Sequence, residues 1–194
     1  MAPSLLLASN SPRRGELLAR AGIVFTVVPP EVAERADPNL TLVELTAWNA
    51  VRKGLAVARA HPEAVVLAAD TLVALDHEVI GKPRDLAEAE RILQRLSSRV
   101  HQVCSSVFLA HLSRDRRSLL QEVTHVRFRR LNRAGIRDYL ARIDPLDKAG
   151  AYAAQGESGR IIESIEGSYT NVVGLPMEQT LPALARFGIR PPMA

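Results

Sequence analysis

Cysteine is nearly missing from this sequence. Cys104 stands alone among 194 residues, so no internal disulfide can form. A cytoplasmic, reducing setting is therefore expected. Cys104 lies in an alternating apolar run, which predicts a buried, inert thiol rather than a nucleophile. Long hydrophobic runs are missing too. No stretch approaches the roughly 20 apolar residues that span a bilayer, so no membrane role is expected. Met1-Ala2-Pro3 leads straight into an apolar strand, without the basic region and apolar core of a secretory leader. Neither the glycine-rich P-loop nor the dinucleotide fingerprint occurs. His61, His77, His101, His111 and His125 are scattered, so no zinc-type spacing and no Ser-His-Asp order emerges. Repeats, low-complexity tracts and linkers are also lacking, and residues 1–194 are expected to form one domain.

What is present is a soluble, globular balance, 47% apolar and 24% charged. The formal charge is +4, but 21 acidic residues are spread among 25 basic ones. The densest basic clusters, Arg114-Asp-Arg-Arg117 and Arg127-Phe-Arg-Arg130, read as a hairpin turn and a solvated strand edge. A nucleic-acid surface is not the expected reading.

The patterning predicts an α/β fold with a mixed sheet. Strands are expected at Leu5–Ala8, Ile23–Val28, Val65–Leu75 (broken at Ala69-Asp70-Thr71) and Ile161–Ile165. Val100–Leu112 and Leu119–Phe128 form a long hairpin in this reading. Helices are expected from Pro12 to Arg20, from a Thr41/Glu44 capping box to Ala60, from Asp85 to Leu96, from Asn132 to Leu140 and from Met177 to Phe187.

The chemistry-bearing residues fall into short motifs. Ser9-Asn-Ser-Pro-Arg-Arg14 reads as a polar loop entering a helix N-terminus, with proline where no hydrogen bond is lost. Free N–H groups and two guanidiniums there suit a polyphosphate. Asp70 ends a run that reads as buried on both faces, so its carboxylate needs a partner or a cation, and it is a candidate general base. Thr71 is a β-former or a ligand-facing hydroxyl. Lys82, held between Gly81 and Pro83, offers a movable charge for phosphate oxygens. Locally, Lys53 reads as an exposed helical lysine. Asp147-Lys-Ala-Gly-Ala-Tyr-Ala-Ala-Gln155 mixes acid, base and amide with very small residues. The Gln155 amide pairs a donor with an acceptor and matches the N3–H and carbonyl edge of a neutral pyrimidine. A hard cation held by carboxylates and phosphate oxygens would complete such a site.

Taken in order, Ala8-Ser-Asn-Ser-Pro-Arg-Arg14, Ala69-Asp-Thr71, Gly81-Lys-Pro83, Pro145-Leu-Asp-Lys-Ala-Gly-Ala-Tyr152 with Gln155-Gly156, and Asn171-Val-Val-Gly-Leu-Pro176 resemble the Maf family of nucleoside triphosphate pyrophosphatases. The resemblance runs from Leu5 to Phe187. It implies a two-lobed α/β structure with a curved mixed sheet and a cleft between the lobes, in the manner of Maf and ITPase proteins. It also implies cleavage of a nucleoside triphosphate to monophosphate and pyrophosphate with magnesium or manganese, and a homodimer. By position, Asp70 matches the proton acceptor, and Glu34 with Asp70 the carboxylates for the cation. Ser9, Arg13, Arg14, Lys53 and Lys82 match the phosphate contacts. Arg13, Thr71 and Gln155 match the positions that choose the base, in the form similar to the dTTP/UTP branch. A 7-methyl-GTP branch carries a glutamate where Gln155 stands, which suits a cationic ring. The sequence departs from the family pattern at Ala33-Glu34, Arg52 and Ser105-Ser106. The rival reading is a non-catalytic regulator that binds nucleic acid or a division protein, an association family members carry through septum inhibition.

Overall fold

The computed structural model describes residues 3–192. Seven strands form one mixed sheet: β1 (Leu5–Ala8), β2 (Thr26–Val27), β3 (Val65–Leu75), β4 (Glu78–Ile80), β5 (Val100–His111), β6 (Arg116–Phe128) and β7 (Ile162–Glu166). The order is β2-β1-β3-β5-β6-β7, with β4 on the second half of β3. β1 runs parallel to β2 and β3, and every other pairing is antiparallel. Among the described residues, six α-helices flank the sheet: α1 (Pro12–Arg20), α2 (Leu42–Ala60), α3 (Leu86–Leu96), α4 (Arg133–Leu140), α5 (Tyr169–Val173) and α6 (Met177–Arg186). No helix among the described residues is long and apolar enough to cross a membrane.

Local chemistry explains the element ends. Thr41 and Glu44 form the expected capping box of α2, satisfying donors that the helix itself leaves free. The Asp85 and Asn132 side chains cap α3 and α4. Several expectations change. β4 is additional, and β6 starts at Arg116 rather than Leu119, so Arg116 and Arg117 belong to the strand and not to the turn. β3 is continuous through Asp70, because Ser106 and Ser105 of β5 complete the ladder opposite Asp70 and Thr71. The second strand shrinks to two residues, since the Ile23 N–H closes α1 by bonding Leu18 O instead of joining the sheet.

β3 and β5 pass between apolar clusters. Leu67 and Ala69 face a cluster shared with α1 and α6, whereas Val66 and Ala68 face Ala50 and Val57 of α2. Farther along, Val73 and Leu75 enter a cluster with α3 and α4. Asp70 and Thr71 sit at the changeover, where none of the three clusters claims them. Alternation along a strand then sends Asp70 to the face of α2 and Thr71 to the face of α1.

Candidate active site

A cavity of about 570 Å³ opens at this changeover. Its walls come from the β1–α1 loop, the Pro30–Glu34 loop, the middle of β3, the Gly81-Lys82 turn, the segment Asp147–Gln155 and the end of α5. Ser9, Arg13, Arg14, Glu34, Lys53, Asp70, Thr71, Lys82 and Gln155 all line it. Residues up to 146 positions apart in sequence thus meet in one space.

On the α2 side, Asp70 is 2% exposed. A buried carboxylate needs compensation, and Lys53 supplies it. Lys53 Nζ lies 2.6 Å from Asp70 Oδ1 and 2.6 Å from Glu34 Oε1. The expectation of an exposed Lys53 is therefore overturned: it is 7% exposed and clasped by two carboxylates. Asn49 Nδ2 approaches Asp70 Oδ2 at 3.4 Å, and the Asn49 amide also bonds both the N–H and the carbonyl of Arg35. Arg52 donates to Ala33 O at 3.1 Å. These bonds fasten the Ala33–Arg35 loop to α2 and present Glu34 to the cavity. Burial pushes the Glu34 carboxyl up, but Lys53, Lys82 and Arg14 outweigh it and hold the group below its ordinary range.

On the α1 side, Arg14 is buried and spends its fork inside the protein. Nε donates to Gly174 O at 2.9 Å, Nη1 to Ser9 Oγ at 3.1 Å and Nη2 to Thr71 Oγ1 at 3.1 Å. Burial lowers its pKa, with Asp70 and Glu34 opposing, yet a guanidinium stays charged at any ordinary pH. Thr71 is also tied to Ser105 Oγ, at 2.8 Å. Ser11 occupies the N-cap of α1 without capping it through its side chain, and Pro12 follows. The first turn of α1 thus has no side-chain cap, and Ser11, Pro12 and Arg13 line the cavity. Arg13 crosses to the opposite wall and pairs with Asp147 at 2.8 Å, while Lys148 grips the same carboxylate. Burial raises the Asp147 carboxyl, but its bonds to Lys148 and Arg13 lower it further. Lys82 is half exposed, 4.0 Å from Glu34 Oε2.

Asn49 was not singled out from the sequence, and Ser105 and Asp147 appeared there only within motifs, without a role at the site. Asn49 had a legible signal: Thr46, Asn49 and Lys53 recur at i, i+3 and i+7 on the buried face of α2. Three polar groups on a helix face otherwise apolar mark a place where something polar must be met. Cys104 matches its expectation, buried and with a thiol that burial pushes up.

Among the described residues, no group of three or more His, Cys, Asp or Glu is placed to hold a metal. Two carboxylates do converge. Glu34 and Asp70 already share one cationic centre, the Lys53 ammonium. Hard oxygen donors few in number, with room for water and phosphate oxygens, fit a magnesium-type ion.

The cavity thus sets a buried carboxylate beside cationic groups on three of its walls. The chain belongs to the Maf family: the model for Maf-like protein matches residues 4–187. The dTTP/UTP pyrophosphatase of Symbiobacterium thermophilum is 49% identical over 184 residues, covering 95% of this chain and 94% of that protein. The dTTP/UTP pyrophosphatases of Bacillus pumilus and of a Geobacter species are 41% and 44% identical, over 96% and 95% of this chain and 98% and 96% of their own lengths. Among solved structures, the Ham1 protein of Staphylococcus aureus overlaps 64% of this chain and 71% of its own, with a TM-score of 0.41 and 16% identity.

Proposed function

We propose that this protein is a nucleoside triphosphate pyrophosphatase that hydrolyses dTTP and UTP to the monophosphate and pyrophosphate. One observation carries the reading: the nine residues singled out from the sequence line a single cavity. In this reading the whole chain acts as one Maf-like domain. It is a cytoplasmic homodimer that removes nucleotides which would otherwise be misincorporated.

Asp70 is the proton acceptor for the attacking water. Its burial against Lys53 and Asn49 fixes one carboxylate in position before substrate arrives. Attack at the α–β bridge leaves pyrophosphate, whose growing charge Arg13, Arg14, Lys53 and Lys82 stabilise together with Ser9 and the first turn of α1. Glu34 and Asp70 would hold a magnesium or manganese ion, which when bound supplies charge neutralisation at the phosphates. Thr71 and Arg13 shape the base-proximal wall, and the Gln155 amide reads the pyrimidine edge.

The test is direct. Purified protein with dTTP or UTP and added magnesium or manganese releases pyrophosphate, not orthophosphate. Asp70→Asn keeps the fold and loses turnover by several orders of magnitude. Undiminished pyrophosphate release from that variant removes Asp70 from its role.

A further inference from the structure

Tyr152–Gln155 runs between two single 3-10 turns, Ala149–Ala151 and Glu157–Arg160, outside every helix and strand. Its main chain still needs hydrogen-bond partners, because three of the four residues from 151 to 154 are buried. Phenol groups provide them. Tyr139 Oη, from α4, accepts from the Ala153 N–H at 3.0 Å and donates to Ala153 O at 3.4 Å. Tyr169 Oη, at the start of α5, donates to Ala154 O at 3.0 Å. Tyr152 is pinned from β5, its hydroxyl 2.8 Å from His101 Nε2 and its ring edge-on to His101 and Phe128. Burial pushes the Tyr139 phenol up to about 12, so it keeps the proton it donates. The next residue is Gln155, which lines the cavity.

We infer that Tyr139 and Tyr169 are positioning residues for base selection, clamping Ala153 and Ala154 so that the Gln155 amide meets the pyrimidine from one distance and direction. The inference rests on the pyrimidine-reading role proposed above for Gln155. It has a chemical reason. An amide turned by half a revolution exchanges donor and acceptor. In one orientation it matches the N3–H and O4 of thymine or uracil; in the other it matches the N3 and amino group of cytosine. Rotation about the amide's own side-chain bond chooses the orientation, whereas the held backbone at Ala153 and Ala154 fixes the distance and direction of approach on which both bonds to the thymine or uracil edge depend. Neither tyrosine touches the triphosphate wall, so the clamp acts on selection and not on cleavage.

The test compares the full-length protein with Tyr139→Phe, Tyr169→Phe and Gln155→Ala. The kcat/KM for dTTP and dCTP is read alongside competitive inhibition by inorganic tripolyphosphate, which has no base. Each tyrosine variant is expected to lower the dTTP-to-dCTP ratio about 10-fold through KM for dTTP, with kcat changed less than about 2-fold. The tripolyphosphate inhibition constant stays as it was. Tyr169 is 45% exposed, so its variant folds even where loss of the buried Tyr139 hydroxyl destabilises the protein. An unchanged ratio in Tyr169→Phe, with a collapsed ratio in Gln155→Ala, overturns the clamp and leaves the base reading standing. An unchanged ratio in Gln155→Ala overturns the base reading and the clamp with it.

Discussion

Acid should destabilise this protein through one histidine. His101 is 1% exposed on β5, edge-on to Phe128 and Tyr152. Its Nε2 meets the Tyr152 hydroxyl, and its Nδ1 has no partner among the described residues. Burial alone lowers its pKa from 6.5 to about 4. The folded state therefore resists a proton that the unfolded chain accepts readily. Stability contributed by the neutral imidazole is complete above the unfolded value and is lost as pH falls toward the folded one. Integrated between those two values, the loss is about 2 kcal/mol by about pH 5 and about 3 kcal/mol once both states are protonated. His101→Gln keeps a polar partner for Tyr152 but cannot titrate. Urea unfolding of both proteins at about pH 7.5 and about pH 5 isolates the effect, because the carboxylates common to both cancel. The native chain is expected to lose about 2 kcal/mol more than the variant on acidification. Equal losses in the two proteins would refute the reasoning.

Lys53→Met strands the buried Asp70 carboxylate. It is expected to cost about 3–5 kcal/mol in urea unfolding, and adding Asp70→Asn should recover part of that loss; no recovery contradicts the pairing. At Gly54 on α2, an added Cβ would sit 2.4 Å from the Phe108 ring and 3.3 Å from Ala68. Helix propensity favours alanine by at most about 1 kcal/mol, while overpacking costs about 1–3 kcal/mol, so Gly54→Ala should lower the unfolding midpoint. Gln155→Glu should weaken dTTP and UTP relative to 7-methyl-GTP in competition assays, and an unaltered preference would show that the base is read elsewhere.

Much of the fold was legible because its signals are local. The Thr41/Glu44 box, the Asp85 and Asn132 caps, Pro12 at a helix start and the alternation of β6 each act within a few residues. The cavity residues were legible by motif, but their partnerships were not. Lys53, on α2, reads as exposed until Asp70 arrives from β3. Thr71 reads as a β-former until Arg14, Ser105 and Gly174 gather around it. The apparent break at Ala69-Asp70-Thr71 is a continuous strand because β5 sets Ser105 and Ser106 opposite. Such pairings depend on register between distant segments, which periodicity within one segment does not report.

The structure with a non-hydrolysable dUTP bound, its α–β bridge oxygen replaced by nitrogen, tests the central claim most directly. The account predicts the triphosphate tail among Arg13, Arg14 and Lys82, the α-phosphorus facing Asp70, and the uracil edge on Gln155. A nucleotide seated outside this cavity, or one whose base fills the space beside Lys53 while its phosphates point to solvent, would contradict it.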